Sequence, residues 1–155
     1  MQIMAGYGAV KRSQFCFEFC ILLGITGPLQ AFVSPAVVCK GQEYLMIEYF
    51  IAHGLTIIIP LFMAVCMKFE PRKNSVWKSI LLMQAIVTCV YFINIYLGSN
   101  YMYLIKKPPI DHPLNVGVWP FYLVKWHLLF YAGAIGIYLI FVCKSILGNK
   151  TTDRI

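Results

Sequence analysis

The sequence predicts an all-α protein: a polytopic membrane helix bundle with about four transmembrane helices. Three observations carry this. Hydrophobic residues make up 60% of the 155 positions and charged residues 12%, with mean hydropathy +0.73, whereas a soluble domain carries about a quarter charged residues. Four apolar runs reach the roughly 20 residues needed to cross a bilayer. The basic residues flank those runs instead of forming one stripe, so the net charge of +7 reads as a topology signal and nucleic-acid binding is excluded.

Residues 1–14 hold no apolar core ahead of a cleavage site, so no removable signal peptide is expected; they read as a cytoplasmic tail. The first span runs from Phe15 to about Val38, interrupted at Gly27-Pro28 and closed by Ser34-Pro35. The second is Tyr44–Met67, the third Val76–Leu97 and the fourth Trp119–Cys143. Together they make one four-helix transmembrane domain over residues 15–143, and residues 144–155 read as a second cytoplasmic tail. Pro28 and Pro60 fall inside spans, where neighbouring helices can satisfy the carbonyls that a proline frees. Pro108, Pro109 and Pro113 stiffen the one sizeable loop, Ile105–Val118.

Orientation follows from lysine and arginine. With the N-terminus inside, the cytoplasmic segments hold Lys11, Arg12, Lys68, Arg72, Lys73, Lys78, Lys144, Lys150 and Arg154; the external segments hold Lys40, Lys106, Lys107 and Lys125. Nine against four favours both termini inside, in the cell membrane. The short loops lean towards a bacterial plasma membrane. Asn149-Lys150-Thr151 matches a glycosylation acceptor but falls on the inner side. Tyr44, Tyr49, Tyr96, Tyr101, Tyr103, Trp119, Tyr122 and Trp126 gather at the outer level, as an ordinary aromatic belt does.

Six cysteines are present, at 16, 20, 39, 66, 89 and 143, with no CxxC pair. They read as small apolar residues in lipid, and no zinc or redox centre is expected. No cofactor is called for.

Polar side chains at membrane depth cost several kcal/mol and tend to mark function. His53 lies roughly 13 Å into the second span at about 1.5 Å per residue. Tyr49 shares its face one turn earlier, whereas Glu48 lies about 140° round the helix. His127 enters the fourth span from the same side, Asn94 closes the third and Gln30 sits near the end of the first. Four helices thus deliver Gln30, His53, Asn94 and His127 to one stratum in the outer half. Gln30 and Gln84 read as interhelical hydrogen bonds. Glu18, near the inner side, is expected to snorkel or to pair with Lys11 or Arg12.

The stretch Asn94–Pro109 (NIYLGSNYMYLIKKPP) brings two asparagines, three tyrosines and a Gly-Ser break to that level. His53 is a candidate general base. Asn94, Asn100 and Tyr101 are candidate pocket donors able to steady a developing oxyanion, and Lys106 and Lys107 are candidates to hold a lipid phosphate. A metal would need His53, His127 and Glu48 to converge, which they do only if the two helices rotate favourably, so no metal is expected. A histidine, neutral donors and a cationic rim suit acyl-ester chemistry on a lipid, and equally suit binding a headgroup without chemistry.

The run from Phe92 through Gly98-Ser99-Asn100-Tyr101-Met102-Tyr103 to Pro108, with Val118-Trp119-Pro120-Phe121-Tyr122, resembles the YwaF-type bacterial integral membrane proteins, which belong with transmembrane protein 164 of animals. Leu23–Phe32 ending in Ser34-Pro35, and Tyr49–His53 followed by Pro60, fit the same family. The resemblance covers about residues 15–143. It implies a multi-helix membrane fold with more helices than this chain has, and phospholipid acyl transfer by a cysteine and a histidine. His53 matches the histidine by context. The family's cysteine sits in an upstream Leu-Pro-Leu-x-x-Cys-type motif that this chain does not contain, and Cys39 is the one cysteine at the right level to substitute. The resemblance implies membrane lipids as partners, with either a homo-oligomer or separately encoded upstream helices completing the bundle.

A second reading is a small transporter or ligand-binding module that uses Glu18, Glu48 or His53 as a proton-linked group. A third is an inactive truncated fragment.

Overall fold

The computed structural model describes residues 1–33, 35, 43–108 and 112–152, with the backbone alone over 148–152. Cys39, Lys40, Ser34, Pro109 and Arg154 lie outside the described residues. Six α-helices account for the described fold: α1 Gln2–Lys11, α2 Gln14–Leu23, α3 Thr26–Val33, α4 Glu43–Val65, α5 Ser75–Leu97 and α6 Phe121–Thr152. No strand occurs among the described residues. Four helical stretches are long and apolar enough to cross a membrane: 14–33, 43–65, 75–97 and 121–147.

Residues 1–14, expected as a tail, form α1 and a tight turn. Arg12 adopts a left-handed conformation (φ 51°), and the Ser13 hydroxyl caps α2 by accepting the Cys16 N–H at 3.4 Å. The chain therefore doubles back. α1 runs antiparallel to α2, with Gly8 so close to Cys16 that an added Cβ would lie 2.7 Å from the Cys16 Cβ. Small residues of this kind let membrane helices approach each other without a hydrophobic driving force.

The first span is broken, but three residues before the expected point. α2 stops at Leu23, Gly24-Ile25 form a turn, and Pro28 sits in the first turn of α3. The cause lies in the proline. It has no N–H for the Gly24 carbonyl, and its ring crowds that same carbonyl. Regular bonding resumes with the Leu29 N–H on the Ile25 carbonyl at 3.0 Å. Pro60 leaves α4 continuous. The Thr56 carbonyl it frees lies beside a Thr56 hydroxyl that bonds back to the Ala52 carbonyl at 2.9 Å.

The 14–33 stretch is the centre of the bundle. Its most apolar window is 61% buried inside the protein, against 6–11% for the other three. Phe17, Ile21, Leu22 and Leu23 of α2 form the core with Met63 and Ala64 of α4, Val76 of α5 and Ala134 of α6. α4, α5 and α6 turn broad apolar faces outward, the pattern of helices solvated by lipid.

At the end of the bundle that carries the α4–α5 loop, Glu18 is buried. Its partner is Arg72, not Lys11 or Arg12, both of which are exposed. Glu18 Oε1 accepts from Arg72 Nε at 2.8 Å and from the Arg72 backbone N–H at 2.9 Å; Oε2 accepts from Nη2 at 3.0 Å. Gln14, one turn back, adds a bond to Oε1 at 3.0 Å and reaches the Glu70 carbonyl at 2.7 Å. A forked guanidinium plus a backbone donor satisfies both carboxylate oxygens in a fixed geometry. The carboxylate in turn holds the Arg72 pKa above its ordinary value, through the hydrogen bond first and the charge second.

Candidate functional site in the helix bundle

A cavity of about 530 Å³ opens between α3, α4, α5 and α6. α3 contributes Gly27, Pro28, Gln30 and Ala31; α4 contributes Tyr49, His53 and Thr56; α5 contributes Met83 and Val87. α6 supplies Tyr122, Trp126, His127, Phe130 and Tyr131. Met102, Tyr103, Leu104 and Pro108 of the α5–α6 connection form its rim, and Met1 and Gln2 of α1 close another side. The walls are mostly apolar and aromatic, with a few convergent polar groups, as ligand cavities between bundle helices are.

His53 is fixed by its own helix. Nδ1 lies 2.7 Å from the Tyr49 carbonyl, one turn earlier, and the ring packs on the Tyr49 ring with centroids 4.0 Å apart. A carbonyl can only accept, so Nδ1 carries a proton, and in the neutral ring Nε2 keeps the lone pair. His127 repeats the arrangement on α6: Nδ1 lies 2.7 Å from the Leu123 carbonyl and the ring stands edge-on to Tyr131 at 5.9 Å. Three of the four residues expected in one stratum, Gln30, His53 and His127, line the one cavity.

Asn94 is different. It is buried, and its amide ties up the end of α5: Nδ2 donates to the Tyr101 carbonyl at 2.9 Å, while Oδ1 accepts from the Tyr101 N–H and the Ser99 hydroxyl, each at 2.8 Å. Gly98, at φ 62°, supplies the left-handed residue that ends the helix. Asn100 does the same for the next turn, with Oδ1 accepting from the Ile105 and Lys106 N–H groups at 3.0 Å and Nδ2 donating to the Lys106 carbonyl at 2.9 Å. Neither asparagine lines the cavity, nor does Tyr101, whose side chain is exposed. Lys106 and Lys107 are exposed on the connection between the rim residues Leu104 and Pro108.

The start of α6 pins the rim. Tyr122 donates its hydroxyl to the Tyr103 carbonyl at 2.7 Å, Trp119 its Nε1 to the Leu104 carbonyl at 3.1 Å, and Trp126 its Nε1 to Asn115 Oδ1 at 3.1 Å. His112 stacks on Trp126 at 5.3 Å.

A model of the TMEM164 family matches residues 1–141. The chain belongs to the TMEM164 family. The match takes in α1, the first three spans and the fourth as far as residue 141. Comparisons with curated proteins and with solved structures gave no match.

In this TMEM164 family chain, no cysteine lines the cavity among the described residues. Cys16 and Cys20 are buried in the core, and Cys66, Cys89 and Cys143 are exposed on the apolar surface. No group of three or more metal-ligating side chains occurs among the described residues. Glu48 is exposed on α4. Gln84, expected as an interhelical hydrogen bond, is exposed on α5. The polar cavity residues that the sequence did not single out are Gln2, Thr56 and Tyr131. Tyr131 follows His127 by one helical turn, a spacing that can be read from the chain.

Proposed function

We propose that the cavity takes up the ester region of a membrane phospholipid and that His53 acts there as general base in acyl transfer. The observation that supports this most directly is the His53 Nδ1 bond to the Tyr49 carbonyl, which leaves Nε2 as a proton acceptor on the wall of a mostly apolar cavity. Nε2 takes the proton of an attacking nucleophile and returns it to the leaving oxygen once the ester carbonyl has been attacked. The Gln30 amide is a neutral donor in the lining for the developing oxyanion. Lys106 and Lys107 meet the phosphate at the rim, and Asn94, Asn100 and Tyr101 act by holding the rim in shape. The protein sits in the cell membrane with both termini inside, and a second copy or further helices complete the bundle.

The transport reading gains nothing from the geometry: Glu18 is held by Arg72 and Gln14, and Glu48 faces away from the cavity.

The test is the acyl composition of membrane phospholipids, by mass spectrometry, in cells expressing wild type, His53→Ala or no protein. Wild type should shift the composition, and His53→Ala at equal protein level should match the empty control. Identical composition in all three would rule the reading out.

A further inference from the structure

His127 mirrors His53. The two rings come from different helices, each ties Nδ1 to a carbonyl one turn back at 2.7 Å, each packs against a tyrosine, and both line one cavity. Neither Nε2 receives a hydrogen bond from the described residues. Meanwhile several donors of the lining are turned outward: the Tyr122 hydroxyl to the Tyr103 carbonyl, the Trp126 Nε1 to Asn115, the Thr56 hydroxyl to Ala52 and the Tyr49 hydroxyl to the Ala31 carbonyl at 3.4 Å. The two Nε2 atoms therefore stand on the wall as acceptors without a donor from the described residues, beside the Gln30 amide and the Tyr131 hydroxyl. A ligand that brings hydrogens is what satisfies both imidazoles.

We infer that His127 is a second ligand-contacting residue and that the two imidazoles together select a lipid with free hydroxyl groups over its fully esterified counterpart. This rests on the reading of the cavity as a lipid site. An ester alone has only acceptors, and two unpartnered lone pairs facing it lose their hydration without replacement. A hydroxyl satisfies an Nε2 and, in the same contact, sits where its proton can be removed. His53 and His127 then divide the work: each can hold one hydroxyl, so a lipid with two of them gains from both.

The test is solid-state 15N spectroscopy of the full chain in nanodiscs, with labelled histidine and signals assigned through His53→Gln, His112→Gln and His127→Gln. The probes are monoolein and monoolein with both hydroxyls acetylated. Monoolein should shift the Nε2 signals of His53 and His127, and the diacetylated form neither. His127→Gln should weaken monoolein binding about tenfold, the loss expected for one buried hydrogen bond, and leave the diacetylated form unchanged. A shift at His53 alone overturns the role of His127 and leaves the lipid reading standing. Equal shifts with both probes overturn the selection for hydroxyls. Shifts with neither probe overturn the inference, and the acyl composition assay then decides separately whether the lipid reading survives.

Discussion

Asn94 and Tyr101 close a ring between side chain and backbone: the amide nitrogen of Asn94 donates to the Tyr101 carbonyl at 2.9 Å, and its oxygen accepts the Tyr101 N–H at 2.8 Å. Seven residues apart in sequence, they fold the end of α5 over into the rim of the cavity. The polar cluster that marks this stretch in the sequence is thus used mostly on itself.

Asn94→Ala removes the partner of the Ser99 hydroxyl and of both Tyr101 backbone groups in a partly buried turn. The expected cost is about 2–3 kcal/mol. Hydrogen exchange should show loss of protection over residues 99–106, with α2 unaffected. Unchanged protection there would mean that the turn does not depend on the amide.

Arg72→Ala leaves Glu18 buried with one side-chain donor, Gln14. A buried carboxylate that loses its cation is destabilising, so the variant should melt below wild type even though the Arg72 side chain is itself 58% exposed. Reactivity of the buried Cys16 and Cys20 thiols towards a maleimide dye during heating reports the unfolding. Replacing both Glu18 and Arg72 with Met should recover most of the loss, since no buried charge then remains.

Gly133 on α6 faces Thr26 on α3, and a Cβ there would collide with the Thr26 hydroxyl. Gly133→Ala should cost about 1–3 kcal/mol by forcing the two helices apart. Thr26→Ala in the same chain should restore thermal stability. If the single variant melts with wild type, the helices are not in contact at this point.

Much of this was legible from the chain. Spans are set by hydropathy and length, which are local, so the apolar runs predict α4, α5 and the start of α6 to within two residues, while α6 runs on to Thr152, nine residues past the expected end at Cys143. Depth counting along a helix of fixed rise placed Gln30, His53 and His127 at one level, and the cavity gathers all three. Asn94 was at the right depth, but a polar side chain at a helix end can serve its own backbone instead of a pocket, and depth does not distinguish the two. The partner of Glu18 lies 54 residues away on a loop whose approach depends on how α4 and α5 pack. α1 was illegible because its ten residues are too short for a span and too mixed for a clear apolar stripe; it is helical because it packs along α2.

The most direct measurement is photocrosslinking of the membrane-embedded full chain with a phospholipid carrying a diazirine on its acyl chain, followed by peptide mapping. Adducts on cavity residues such as Met83, Phe130 and Tyr131, reduced by Gly27→Trp, which places a bulky ring against Phe130, are the expected result. Adducts confined to outward positions such as Leu81, Ile86 and Ile140, and indifferent to that substitution, would show that lipid surrounds the bundle without entering it.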